Sequence, residues 1–240
     1  MPADVEAMVV TDGMRVRAFG WLTRSDGDYA LALARRSSDP VQQFSGVRQD
    51  PLRLPGLAPP PAVDGLLTVE GSWSAGQILA GSVRFPRPGE WAMPVEDLGS
   101  GIHQGRLAEL SAEVRHAIDA LTSDGSLLWC RTRWTDDGRL RIIAGGPEPD
   151  VATAVLSRLA DGELTIIESA VSRQDIDAAR ATLLARADEW QTFEVGAQIT
   201  GAGQYRLTAS VLFVAPSFAA WVAGLPPGLM AVFASVRPAG

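Results

Sequence analysis

The pattern that most constrains the fold is an alternation of apolar and polar residues, with a period of two, near the amino terminus. From residue 14 onward one parity is mainly aliphatic and the other carries arginines and aromatics: Met14, Val16, Ala18 and Leu22 against Arg15, Arg17, Phe19 and Trp21. Because successive side chains of a strand point to opposite faces, this segment is predicted to be a strand with one face in a core. Turn residues at 25–28, followed by alternating Tyr29, Leu31 and Leu33, predict a hairpin.

A second hairpin is predicted after a long irregular connection. Alternation returns at Leu67 and Val69, a turn is expected at 74–76, and the return strand runs to Phe85. Between the two hairpins, residues 40–61 are repeatedly interrupted by proline, which favours an extended loop.

The two hairpins resemble those of OB-fold barrels. The sequence MRVRAFGWLTRSDGDYALAL is similar to the first hairpin of that family, and GLLTVEGSWSAGQILAGSVRF is similar to its last. The resemblance covers residues 14–90 and implies a small antiparallel barrel whose ligand face combines aromatic and basic side chains. It departs from the family where proline-rich sequence replaces the helix expected between the third and fourth strands.

The remaining sequence predicts a connecting helix and an α+β domain. Apolar residues spaced by three and four from Leu107 to Leu121 predict an amphipathic helix over 104–121. Beyond it, hairpins alternate with helices that begin at Pro149, Ser172 and Pro216, which predicts helices on a mainly antiparallel sheet. This half loosely resembles the small α+β pro-segments of bacterial serine proteases. The predicted divisions are a barrel over 1–98, a helical connector over 99–126 and an α+β domain over 127–240.

Composition excludes several classes of function. The chain has no lysine, which removes Schiff-base and P-loop lysine chemistry, and this bias is typical of a GC-rich bacterial genome. A net charge of −7 disfavours generic nucleic-acid binding. No apolar run could cross a membrane and no secretory signal is visible, and a single cysteine favours the cytoplasm. One cysteine and two histidines argue against a zinc site, and no cofactor is expected.

Two surfaces are predicted to bind a partner. The first is the polar parity of the first strand, with Arg15, Arg17, Phe19 and Trp21; the alternative for this parity is burial against another domain or subunit. The second surface lies on the hairpin around Asp136-Asp137-Gly138, where Arg133 should oppose Arg141. That register gathers Arg131, Arg133, Arg139 and Arg141 on one outer face, which suits an acidic partner or phosphates. The alternative is a solvated face balanced by nearby carboxylates.

The sequence contains no catalytic motif in a suitable context. Ser74 lacks the first glycine of a nucleophile elbow and lies in a hairpin turn, and the glycines at 99, 101 and 105 have no βαβ unit around them. We therefore expect a non-enzymatic binding or adaptor protein whose partner is another protein. The alternatives are a hydrolase or transferase with a site built from loops, and a barrel that binds single-stranded nucleic acid. The sequence does not specify an oligomeric state.

Overall fold

The computed structural model describes residues 5–25, 28–33, 51–57, 66–87, 104–105, 110–134, 140–159 and 162–240. Over these residues the chain has the mixed α+β fold that the sequence predicts, with four helices and three sheets. One antiparallel sheet forms the amino-terminal half, and two sheets with helices form the carboxyl-terminal half. None of the helices in these ranges is long and apolar enough to span a bilayer.

The elements are numbered along the chain. The strands are β1 (Arg15–Ser25), β2 (Asp28–Leu33), β3 (Leu52–Arg53), β4 (Leu66–Ser74), β5 (Gln77–Arg84), β6 (Gln104–Gly105), β7 (Trp129–Trp134), β8 (Leu140–Gly146), β9 (Glu163–Glu168), β10 (Thr192–Ile199), β11 (Tyr205–Val211), β12 (Met230–Ala234) and β13 (Val236–Pro238). The helices are α1 (Ala112–Ser123), α2 (Pro149–Leu156), α3 (Arg173–Ala185) and α4 (Pro216–Ala223).

The amino-terminal sheet is a nearly closed, barrel-like structure. Its strands lie in the order β3-β2-β1-β4-β5, each pair is antiparallel, and β3 approaches β5 at the open side. The aliphatic parity predicted from the sequence faces inward: Val16, Ala18 and Val69 are fully buried around Trp73. Burial of this parity fixes the register, because a shift of one residue would expose it.

The β4–β5 hairpin turns at Ala75 and Gly76, as predicted. Both residues have positive φ, 47° and 80°, so the two-residue loop is of the type I′ kind. Alanine is strained in this left-handed region because its Cβ crowds the backbone. The turn also receives tertiary support, since the Ala75 N–H donates to the Asp12 Oδ1 at 3.0 Å.

The carboxyl-terminal half consists of two consecutive units with the same order of elements. Unit one is α1-β7-β8-α2-β9 and unit two is α3-β10-β11-α4-β12. In each unit two strands form an antiparallel hairpin, and the third strand pairs parallel to the second across a helix. Both crossover helices carry proline in their first turn, where the missing N–H costs no hydrogen bond.

Each unit begins with a serine-capped helix. The Ser172 side chain accepts a hydrogen bond from the Asp175 N–H, and the Asp175 carboxylate accepts from the Ser172 N–H, so the two residues form a capping box with aspartate in place of the usual glutamate or glutamine. Hydrogen bonds from the Ser172 hydroxyl and N–H lower the pKa of Asp175. In unit one Ser111 caps α1, which therefore starts later than the sequence predicts. Gln104 and Gly105 instead form β6, paired with β7.

Three apolar clusters, one per substructure, are joined by contacts that cross between them. Trp129 of unit one packs in the cluster of unit two, and its indole Nε1 donates to the Gly203 carbonyl oxygen at 3.1 Å. Leu212, Phe213 and Val236 of the carboxyl-terminal half pack in the barrel cluster. Strand β13 pairs with β1, so the end of the chain belongs to the first sheet. The domain boundaries expected from the sequence stay a prediction.

We expect the Ala75→Asn variant to be more stable than the parent by about 0.5–1 kcal/mol, because asparagine tolerates the left-handed conformation of a type I′ turn. Urea unfolding at equilibrium measures the difference. The control is Ala202→Asn, an exposed turn position without positive φ, where no gain is expected. A loss of stability at position 75 would contradict the turn assignment.

The Trp129→Phe variant should lose about 1–3 kcal/mol in the free energy of unfolding beyond any loss of packing, because the buried Gly203 carbonyl loses its donor. The matched control is Trp190→Phe, since the buried Trp190 Nε1 has no hydrogen-bond partner among the described residues. Unfolding of both variants in urea compares the two. If both variants lose the same free energy of unfolding, the hydrogen bond of the Trp129 indole N–H does not stabilise the contact between the units.

Candidate functional site

The polar face of the barrel gathers arginines from three strands and a glutamate from a fourth. Strand pairing places Arg237 of β13 beside Arg17 of β1, and Arg17 beside Glu70 of β4. Cross-strand partners project to the same face of a sheet, so these three side chains form one row. Arg15 lies two residues from Arg17 on the same parity, and Arg84 of β5 is the cross-strand partner of Thr68, two residues from Glu70. We name Arg15, Arg17, Arg84 and Arg237, with Glu70, the barrel arginine face.

Glu70 organises the charges on this face. Arg84 donates to the Glu70 Oε1 through its Nε at 3.3 Å and through a terminal nitrogen at 2.8 Å. Arg15 lies on the other side, with a terminal nitrogen 3.9 Å from the Glu70 Oε2. The Arg15 side chain is 75% exposed, whereas Glu70 is only 23% exposed. A carboxylate is thus already held between guanidiniums on this face, and Arg15 is accessible to solvent.

The two aromatic residues predicted for this face differ in their exposure to solvent. Phe19 is buried, and so is its cross-strand neighbour Thr68. Trp21 is half-buried. Phe19 therefore presents no stacking surface to solvent, and the exposed part of the face is the arginine row.

The second predicted surface lies on the β7–β8 hairpin. The register is the expected one, with Arg133 opposite Arg141 and Trp134 opposite Leu140. Part of this face is internal, because Ile143, the partner of Arg131, packs against the cluster of unit two. The Arg133 side chain and all of Arg139 lie outside the described residues.

Arg141 is neutralised within its own sheet. Its Nε lies 3.4 Å from the Glu163 Oε2, and a terminal nitrogen donates to the Thr165 hydroxyl at 3.2 Å. Both partners come from β9, the strand parallel to β8. The Arg141 side chain is therefore less exposed than that of Arg15 on the barrel face, at 37% against 75%.

Sequence reasoning missed three members of the barrel arginine face. Glu70 could have been placed from its alternation with the buried residues of β4. Arg84 could not be placed by counting from the 75–76 turn, because an irregularity between Glu70 and Gly71 shifts the register of β5. Arg237 could not, because its position depends on β13 returning to β1 from the far end of the chain. Local periodicity carries no signal for such a long-range pairing.

Nucleophilic chemistry has weak support in the described part of the chain. Burial raises the pKa of the Cys130 thiol from 9.0 to about 11, which keeps it protonated at neutral pH. Within the same residues no group of three or more His, Cys, Asp and Glu side chains is arranged to hold a metal ion.

We predict that Cys130 reacts slowly with iodoacetamide in the native protein at pH 8 and quickly in denaturant, because the thiolate is the reactive form. Since the native pKa of about 11 exceeds the ordinary 9.0, ionisation in the unfolded chain should lower stability as pH rises between these values. The Cys130→Ser variant should lack that extra loss. Mass spectrometry and urea titrations provide the measurements; rapid labelling of the folded protein would contradict the burial.

The structural roles described above rest on the geometry of this chain itself. Comparison with protein-family models, with curated proteins and with solved structures finds no match.

Proposed function

We propose that this protein is a non-enzymatic binding protein that docks an acidic segment of a partner protein on the barrel arginine face. The observation that carries the proposal is the row in which Arg237, Arg17 and Glu70 lie side by side on three strands. A rigid sheet that presents guanidiniums at fixed spacing suits a partner with carboxylates at matching spacing. The single cysteine favours a cytoplasmic setting.

Glu70 supports the choice of a carboxylate ligand. Its contacts with Arg84 are those of a charge-assisted pair, with the shorter at 2.8 Å. Arg15, at the edge of the same face, reaches Glu70 only at 3.9 Å and is three-quarters exposed. A carboxylate of a partner can therefore pair with Arg15, because Glu70 lies too far from Arg15 to shield its charge fully.

The OB-like interpretation of the barrel agrees with this role. The strand order, with β3 approaching β5, corresponds to a small, partly open barrel, an architecture that commonly presents a binding face. The same arginines could meet phosphates of single-stranded nucleic acid, but the net charge of −7 opposes that ligand at long range. We therefore favour a protein partner.

The Arg15→Glu variant should bind a labelled glutamate-rich peptide roughly tenfold more weakly than the parent, because charge reversal replaces attraction by repulsion. Fluorescence anisotropy at low salt measures the affinity. The control is Arg115→Glu, which makes the same change of net charge at an exposed position of α1. Calorimetry checks that both variants remain folded.

Two results would overturn the proposal. One is that both variants weaken peptide binding equally, which would show that the change in net charge alone causes the loss of affinity. The other is tighter, salt-dependent binding of a labelled oligothymidylate than of the peptide, which would favour the nucleic-acid alternative.

A further inference from the structure

A groove lies beside the segment that joins the two repeated units, and no residue of the barrel arginine face lines it. Its volume is about 380 Å3, within the range of small-molecule sites. It is lined by the segment that joins the units, by the start of β11 and by the loop before β12. The lining groups used below are Glu168, Val171, Tyr205, Arg206, Pro227 and Gly228.

Arg206 is the cation of this groove. Its Nε donates to the Gly228 carbonyl oxygen at 3.1 Å, which fixes the guanidinium while leaving both terminal nitrogens for other acceptors. Among the described residues no carboxylate forms an ion pair with it. A half-buried guanidinium without a counter-ion favours an anion at this place.

Unit one contains the same arginine with its counter-ion in place. Arg141 is the second residue of β8, as Arg206 is of β11, and each precedes an equivalent buried position. Arg141 pairs in register with Glu163, and the two form an ion pair at 3.4 Å. The equivalent of Glu163 in unit two is the residue before Met230, which is the fully buried Leu229. At these equivalent positions unit two also has an arginine, Arg206, but it has the apolar Leu229 where unit one has Glu163.

The other lining groups include apolar surface, which Val171 and Pro227 contribute. Tyr205 precedes Arg206 on β11, so its side chain lies on the opposite face of the strand, where Arg180 donates to its hydroxyl oxygen at 3.3 Å. Glu168 is exposed and lines the same groove, so a ligand with one negative charge fits better than a ligand with two.

We propose that this groove binds the carboxylate group of a small aliphatic monocarboxylic acid. The ligand carboxylate pairs with the Arg206 guanidinium, as the Glu163 carboxylate pairs with Arg141 in unit one. The aliphatic part of the ligand lies against Val171 and Pro227. The site is independent of the proposed docking on the barrel.

Titration of the full chain with butyrate at constant ionic strength, followed by amide NMR, tests the site. Saturable shifts should centre on Tyr205, Arg206 and Gly228, and 1-butanol, which has similar size and no charge, should produce none. The Arg206→Gln variant should bind butyrate roughly tenfold or more weakly, the effect expected for loss of a charged hydrogen bond. The matched control is Arg141→Gln, which removes the equivalent arginine of unit one and should bind as the parent does.

A second variant serves as the test if the first variant does not fold. If Arg206→Gln unfolds, Arg206→Lys, which keeps the positive charge but loses the planar fork of donors, should still weaken butyrate binding. Equal binding of butyrate and 1-butanol, unchanged affinity in a folded Arg206→Gln protein, equal weakening by Arg141→Gln, or the absence of saturable shifts would each overturn the proposal. None of these outcomes depends on the barrel arginine face, so the two proposals fail separately.

Discussion

The pairing of β13 with β1 is the contact on which the architecture depends. Strand β13, Val236–Pro238, pairs antiparallel with residues 16–18 of β1, and Val236 is fully buried in the barrel cluster. A bridge between Val9 and Val214 adds a second link between the halves. Because these contacts join the ends of the chain, the barrel and the repeated units cannot be separated without exposing Val236 and breaking the arginine row.

The carboxyl-terminal half has two sheets, and the elements follow the same order in both of its units. Both units bury one sheet face beneath their own helices, yet the opposite face of unit one also packs on unit two through Trp129, Ile143 and Ile167. Gly203, with φ of 77°, allows this contact, because a side chain there would collide with Ile167. Similar units therefore occupy different environments, and equivalent positions such as Arg141 and Arg206 acquire different partners.

Local chemistry made several features predictable. The Ser172–Asp175 capping box, the 75–76 turn and the Arg133–Arg141 register all follow from residues close together in the chain. The repeated order of elements is also visible in the sequence, because each unit begins with a capping serine and each crossover helix begins with a proline. The two units are otherwise weakly similar, which makes the repeat difficult to recognise from the sequence. Of the residues predicted for the first surface, Arg15 and Arg17 lie on the barrel arginine face, whereas Phe19 on the same parity is buried.

By itself the sequence determined the class of fold, the position of most strands and helices, and which parity of β1 enters the core, because periodicity, caps and turns act over a few residues. Tertiary structure alone decided that Arg237 joins Arg17 and Glu70, that Arg141 finds Glu163, and that Arg206 lines a groove between the units. Those relations connect residues far apart in the chain. They arise only when apolar faces pack, since burial selects the register and the neighbours that each charge will meet.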